Sequence, residues 1–487
     1  MDLLLLTPSI LALVLALFLR NAFVALSAGA LLGAILFLHQ TPTAIPPYLL
    51  DIFLLKHLSS PWKMGALILT LQLGAFSALL DRNGSLQKLF DSIKASGRSK
   101  RASLISLAGA GVLCFYDGLA NAILLGKLAK PIRSRFAVSP QKLAYIVDST
   151  SSSVACLIIF STWTAYQLSL ISSAVVGTPL EGQALPLLIG SIPFNAYSIM
   201  SLVVLFVVLY KNINLGPMKQ AEADAELAFS KRSNTTVDKQ NIHNSELALR
   251  PTSAGLVVKL LFPISVLFFS FFVFVLIFSD ADHSRGSFQF LINSLSSNNV
   301  PSYLNLSAIL AWITLLLTKE QTLSFTEALR VSLTGLMDIA KPCLILFGAW
   351  ALTSTISDLD VASFLASLFQ ASQFDMAWLP LYTFVAACIL AFFTGTSWGT
   401  LALLIPLALP LAAELNAPIW SLQAIIGAIF GGAVFGDHCS PISDTTVVSA
   451  FATDCELKDH TKTQLPYALL AALLCILLVY IPIALAY

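Results

Sequence analysis

The chain has 487 residues, 57% of them hydrophobic and 11% charged, with a formal net charge of +1 and a mean hydropathy of +0.83. A soluble domain carries roughly 25% charged residues, so the composition excludes an ordinary soluble globular protein and describes a polytopic membrane protein. The small net charge identifies no partner, because in a membrane protein the placement of charges matters more than their sum.

Apolar runs able to cross a bilayer, about 20 residues each, recur from residue 3 to residue 485. The first, Leu3 to Leu19, lacks a basic leader and a small-residue cleavage site and is followed at once by another apolar run. It therefore reads as a span rather than a signal peptide. Spans are predicted near 3–19, 22–38 and 64–80. Two strongly basic loops come next, one holding Arg82, Lys88, Lys94, Arg98, Lys100 and Arg101, the other Lys127, Lys130, Arg133, Arg135 and Lys142. Both are expected on the cytoplasmic side, yet the apolar stretch between them suffices for one crossing only. A re-entrant hairpin with its tip at Phe115-Tyr116-Asp117-Gly118 resolves the conflict, since non-helical backbone is tolerated at membrane depth where protein or water covers it. An interrupted span near 143–172 and another near 185–210 complete residues 1–210.

Residues 211–255 turn polar and read as a flexible cytoplasmic linker. The second half, 256–487, predicts spans near 256–279, 303–318 and 331–356, a second hairpin near 378–413 with its tip at 394–400, an interrupted span near 422–450 and a final span near 465–485. Segments 280–302, 357–376 and 414–421 carry almost no Lys or Arg and are placed outside. Leu67-Ile-Leu69 and Asp81 recur as Leu344-Ile-Leu346 and Asp358, both at an offset of 277 (344 − 67 and 358 − 81). Phe115 to Gly118 fall on Phe392 to Gly395 at that offset, and Leu124-Leu125 on Leu403-Leu404 after a two-residue gap. The fold expected is all-α: two inverted repeats, about ten transmembrane helices, two re-entrant hairpins and interrupted helices, a construction that secondary transporters use.

Polar groups converge on four places in this plan. The first hairpin tip supplies Asp117 and Asn121, and the following span supplies Asp148, Ser149 and Thr150 within Asp148 to Ser153, read as its interruption. The second tip supplies Thr396 and Ser397. Asp437, His438, Ser440, Ser443, Asp444 and Thr445 sit in the last break, where Gly436 and Pro441 disfavour continuous helix. Ionisable groups at membrane depth are expensive and imply function. Hydroxyls, carboxylates and freed carbonyls suit a hard cation such as Na+. Seven cysteines occur without a C-x-x-C pair, so packing is their expected role. His460 is placed in a cytoplasmic loop, and Lys341 is read as snorkelling at the start of a span. Gly395-Thr-Ser-Trp-Gly399 matches a hydrolase elbow, with Ser397 and His438 as an intramembrane serine-hydrolase alternative, but that chemistry needs a strand-turn-helix.

The segments GDHCSPISDTT at 436–446, TGTSWGT at 394–400 and KLAYIVDST at 142–150 resemble signatures of the NhaC-type Na+/H+ antiporter family, within the ion-transporter superfamily of paired hairpins. The resemblance runs from about residue 65 to 480, and the segment from His460 to Tyr467 is similar to one that follows the main signature. Two departures stand out: Gly118 follows Asp117 where the family often has a second acid, and Ser153 stands where a Pro is common. The first bears on coupling stoichiometry and ion preference. The resemblance implies exchange of sodium for protons at Asp437 and Asp444, with Asp117 and Asp148 as counterparts in the first repeat. Na+ is expected at Asp437, Asp444 and Ser440, with Ser443, Thr396 and Ser397 as further neutral ligands and His438, Thr445, Ser149, Thr150 and Asn121 around the substrate. It also implies a homodimer in the bacterial inner membrane, with lipid and small inorganic ions as partners, no nucleic acid and no cofactor beyond the transported Na+ and H+. Members are associated with carboxylate/Na+ exchange and drug efflux as well, so a small organic anion such as a dicarboxylate, or a drug, remains an alternative cargo.

Overall fold

The computed structural model describes residues 2–19, 21–39, 41–83, 99–233, 254–278, 290, 294–295, 299–318, 323–372 and 375–486. The described residues form helices and no strand. A helix satisfies its backbone N–H and C=O groups within one segment, which hydrocarbon surroundings demand. In chain order the main helices are α1 (Thr7–Leu19), α2 (Ala22–Phe37), α3 (Pro61–Arg82), α4 (Lys100–Leu113), α5 (Gly118–Arg135), α6 (Pro140–Ala155), α7 (Thr162–Ala174), α8 (Ala184–Ser191), α9 (Ala196–Lys211) and α10 (Pro217–Ser233). They continue with α11 (Ala254–Phe278), α12 (Val300–Leu317), α13 (Phe325–Asp358), α14 (Val361–Ala371), α15 (Leu379–Thr394), α16 (Ser397–Glu414), α17 (Ile419–Cys439), α18 (Asp444–Ala452) and α19 (Leu457–Cys475).

Among the described residues seven helices are long and apolar enough to cross a membrane, or eight if the pair bent by 41° at Asn195 counts as one span. That is fewer than the sequence led us to expect. The stretches read as the first two spans form helices of only 13 and 16 residues, α1 and α2. Both hairpins are present, α4 with α5 and α15 with α16. Helices α5 and α6 begin at Gly118 and Pro140, α16 and α17 at Ser397 and Ile419, each pair separated by 279 positions (397 − 118 and 419 − 140).

Three local readings change. Asp148 to Ser153 is continuous helix, and the break in that span comes later, at 156–161 between α6 and α7. The hydroxyls that looked disruptive bond back along the helix, Thr150 Oγ1 to the Ile146 carbonyl at 2.9 Å and Ser151 Oγ to that of Asp148 at 2.8 Å. Side chains that return to the preceding turn are compatible with helix. Ser161 then caps α7 in a reciprocal capping box with Thr164.

Second, part of the segment read as flexible linker is the helix α10. Glu222, 3% exposed, accepts the Ser139 amide at 2.8 Å and hydroxyl at 2.7 Å, and lies 3.0 Å from Lys100 Nζ. The remainder of that linker, 234–253, lies outside the described residues, as do Lys88, Lys94 and Arg98 of the topology argument and the side chain of Lys341. Third, residues 361–371, placed in an outer loop, form α14.

The last broken span is where expected: α17 ends at Cys439, Ser440 to Ser443 are non-helical, and α18 starts at Asp444. Gly436, however, is helical. A Cβ there would stand 2.2 Å from that of Ala391, and one on Gly432 2.4 Å from the Phe384 carbonyl oxygen. These glycines let α17 and α15 pack backbone to backbone, the small-residue contact that joins membrane helices. That packing sets the last break beside the tip of the second hairpin.

Candidate functional site

At the first tip the chain turns through Cys114 to Asp117, and Asp117 caps α5. Its Oδ1 accepts the Ala120 amide at 2.9 Å and its Oδ2 the Thr162 hydroxyl at 2.7 Å, while the Thr162 amide donates to the Tyr116 carbonyl at 3.0 Å. The tip is thereby tied to the first residue of α7. A carboxylate is also favoured there by the positive end of the helix. Asn121, one turn on, donates its amide to the carbonyls of Gly111 and Thr150, both at 2.9 Å. It clamps α4, α5 and α6 together.

At the second tip Gly395 adopts φ +66°, the left-handed region, and a Cβ there would stand 2.8 Å from Ile442. Glycine meets both demands at this helix C-terminus. Thr396 caps α16 through the Gly399 amide at 3.3 Å, Ser397 donates to the Ala433 carbonyl at 2.9 Å, and Ser440 donates to the Phe392 carbonyl at 2.7 Å. The hydroxyls thus lock the tip onto α17 and its break.

Between the two tips lies a cavity of about 490 Å³. Asp117 and Leu119 line it from the first tip, Thr396 and Trp398 from the second, Trp163 from α7, and Asp444 and Thr445 from α18. Asn21 to Phe23 and three residues of α13, Ile339, Leu344 and Ile345, complete its walls. Asp444 begins α18, takes the Thr445 amide on Oδ1 at 2.8 Å and is open to the cavity.

Behind the cavity lies a buried polar cluster. Asp437, 1% exposed, accepts the Ser443 hydroxyl at 3.0 Å on Oδ1, while its Oδ2 has no hydrogen-bond partner. Ser443 Oγ is 3.2 Å from Thr445 Oγ1, which connects Asp437 to the cavity wall. Asp148 is fully buried. It accepts the Gln464 amide at 2.7 Å and the hydroxyls of Thr446 and Ser449, each at 3.3 Å. His460 Nε2 lies 3.3 Å from its Oδ2, without hydrogen-bond alignment. His438 bridges Ser152 Oγ at 3.2 Å and the Tyr197 hydroxyl at 2.9 Å.

The structure therefore sorts the sequence candidates. Asp117, Asp444, Thr396 and Thr445 meet at the cavity; Asp437, Asp148, His438 and Ser443 gather behind it. Ser440 bonds to Phe392 rather than joining Asp437, which Ser443 serves instead. Thr150 and Asn121 are spent on backbone carbonyls, and the buried Ser149 lines a small pocket with Tyr145, Tyr197, His438 and Gln464. Ser397 and His438 do not pair, each being engaged elsewhere, so the hydrolase constellation is not formed. His460 is a correction: it is 0% exposed within α19 rather than solvated in a loop. His460 and Gln464 are one helical turn apart, a spacing that aims both at Asp148 and was readable as a polar stripe. Trp163, Trp398 and Tyr197 carried no such signal.

Broken helices, paired hairpins and carboxylates gathered at their meeting point define a secondary transporter of the membrane. The chain belongs to the Na+/H+ antiporter family, whose profile matches residues 154–483. An uncharacterized protein of Haemophilus influenzae is 30% identical over 469 residues, 95% of this chain and 87% of its own. A protein described as an uncharacterized Na+/H+ antiporter of the same organism is 37% identical over 101 residues, 19% of this chain and 21% of its own. The malate-2H+/Na+-lactate antiporter of Bacillus subtilis is 34% identical over 85 residues, 18% of each chain. Among solved structures, the YdaH transporter of Alcanivorax borkumensis, described as having an unusual topology, superposes with a TM-score of 0.62 at 14% identity, covering 91% of this chain and 89% of that one.

Proposed function

We propose that the protein exchanges Na+ for H+ across the inner membrane of a bacterium. One observation carries this reading: among the described residues Asp117, Asp148, Asp437 and Asp444 form no ion pair with Lys or Arg, and His460 beside Asp148 is their single basic contact. Isolated carboxylates in such surroundings need a proton or a bound cation to offset desolvation. Burial favours the neutral acid and a bound cation the carboxylate, so Na+ and H+ compete for the same oxygens and each expels the other. Asp444, open to the cavity, is the exchanging group. Asp437 follows it through Ser443 and Thr445, and Asp117 and Asp148 are the counterparts on the first-half elements.

Alternating access follows if the two hairpins are re-entrant and belong to inverted repeats, each tip meeting the other near the midplane. Cysteines at Arg101 and Arg135 then label from the cytoplasm and those at Asp375 and Glu414 from outside. Labelling of all four from one side removes the inversion. A homodimer is proposed as the working unit. The direct test is Na+-driven proton movement in proteoliposomes, with Asp444→Asn as the control that must lose it; an Asp444→Asn protein with full exchange overturns the assignment.

A further inference from the structure

A bare Na+ ion asks for several oxygen ligands and a small, wet or oxygen-lined space. The cavity between the tips offers more room than a bare ion needs. At about 490 Å³ it falls within the roughly 300–1,000 Å³ range of small-molecule sites. Much of its wall is apolar or aromatic, including Leu119, Ile345 and the indoles of Trp163 and Trp398.

Those indoles are held in place. The rings of Trp163 and Trp398 meet edge to face with centroids 6.3 Å apart, the Tyr166 ring lies 4.1 Å from that of Trp398 at a tilt of 33°, and its hydroxyl donates to the Trp398 carbonyl at 2.8 Å. An indole face attracts a cation. Its apolar surface also favours an organic body over a hydrated ion. The charged groups in the wall are both carboxylates, Asp117 and Asp444, and no described Lys, Arg or His side chain lines the cavity. An anion would face repulsion from both acids.

We propose that this cavity binds an organic ammonium compound, its amine between Asp117 and Asp444 and its apolar body against Trp163 and Trp398. The inference rests on the reading of Asp444 as the cation-binding carboxylate and adds a cargo class to it. Such a cation competes with Na+ for Asp444 without needing the buried Asp437 or Asp148.

The probe is phenethylammonium, with phenethyl alcohol as its neutral isostere and phenylacetate as the anion. Binding to the purified wild-type protein is measured by calorimetry, and inhibition of Na+-driven proton movement in proteoliposomes. The ammonium compound is expected to bind saturably, at least about tenfold more tightly than the alcohol, and to inhibit competitively with Na+. Asp444→Asn is expected to weaken it at least about tenfold, and Trp398→Leu to weaken it as well. Equal binding of the alcohol, stronger binding of phenylacetate, or no binding of the ammonium compound by wild type overturns the inference, and these comparisons need no variant to fold. If Na+-driven proton movement is present while the amine fails to bind, the exchange reading stands and this inference falls. If the amine binds while Na+ moves no protons, the exchange reading falls and this inference stands.

Discussion

Two acids at α18, Asp444 on its first turn and Asp148 packed against it from α6, have different surroundings. Asp444 faces a cavity and keeps one amide contact, whereas Asp148 is sealed away and collects a side-chain amide, two hydroxyls and an imidazole. A carboxylate that must bind and release a cation needs access and few fixed donors. One that anchors a network needs the reverse, since buried polar groups hold only when their hydrogen bonds are made. Under the proposed exchange, the cavity side would bind and release the cation and the buried side would hold the network, with Asp437 between them.

The sharpest way to break this contrast is to neutralise one acid on each side. Asp444→Asn is expected to abolish coupled exchange while the protein remains inserted and folded, because the amide releases no proton at any pH. Asp148→Asn is expected to damage folding as well as flux. Equal behaviour of the two variants, followed by flux and thermal unfolding, would dissolve the distinction.

A somewhat smaller effect concerns pH. Where a proton and Na+ compete at Asp444, the protonated acid binds no Na+, so lowering pH raises the apparent Km for Na+, on the order of tenfold per unit once the site is mostly protonated, for one coupled proton. A Km that stays flat as pH is lowered to the limit at which the protein remains folded would argue against direct competition.

On the buried side, Gln464→Leu removes the amide shared by Asp148 and the His438 carbonyl. Leaving buried acceptors unpaired is expected to lower stability by about 1–3 kcal/mol, read by thermal unfolding in detergent. The same substitution should leave the cavity's ligand affinity close to wild type. At the seam between the two regions, Gly436→Ala forces a methyl against Ala391, with an expected loss of about 1–3 kcal/mol from overpacking. Wild-type stability in that variant would mean that α15 and α17 separate easily.

Composition and apolar run lengths were enough to determine a polytopic helical membrane protein, because backbone in hydrocarbon has few ways to satisfy itself. Both hairpin tips were legible too, and the break read at Asp437 to Thr446 narrows to Ser440–Ser443 in the structure, since Gly, Pro and capping residues act through local backbone geometry. Asp117, Asp437 and Asp444 stood out because charge in an apolar run is conspicuous. The break after Ala155 was not legible: a run of five hydroxyl side chains looks disruptive in one dimension, yet Thr150 and Ser151 bond back to their own helix while Ser152 and Ser153 bond to His438 and Ser201 on neighbouring ones. Nor was the docking of α10, whose polar sequence resembles a linker until Glu222 meets Ser139 and Lys100 from distant segments. Only the tertiary structure joined Asp148 to His460 and Gln464, or set Trp163 and Trp398 around two acids. Those contacts bridge up to 316 positions of chain, and side-chain proximity at such separation is decided by helix packing rather than by any local pattern.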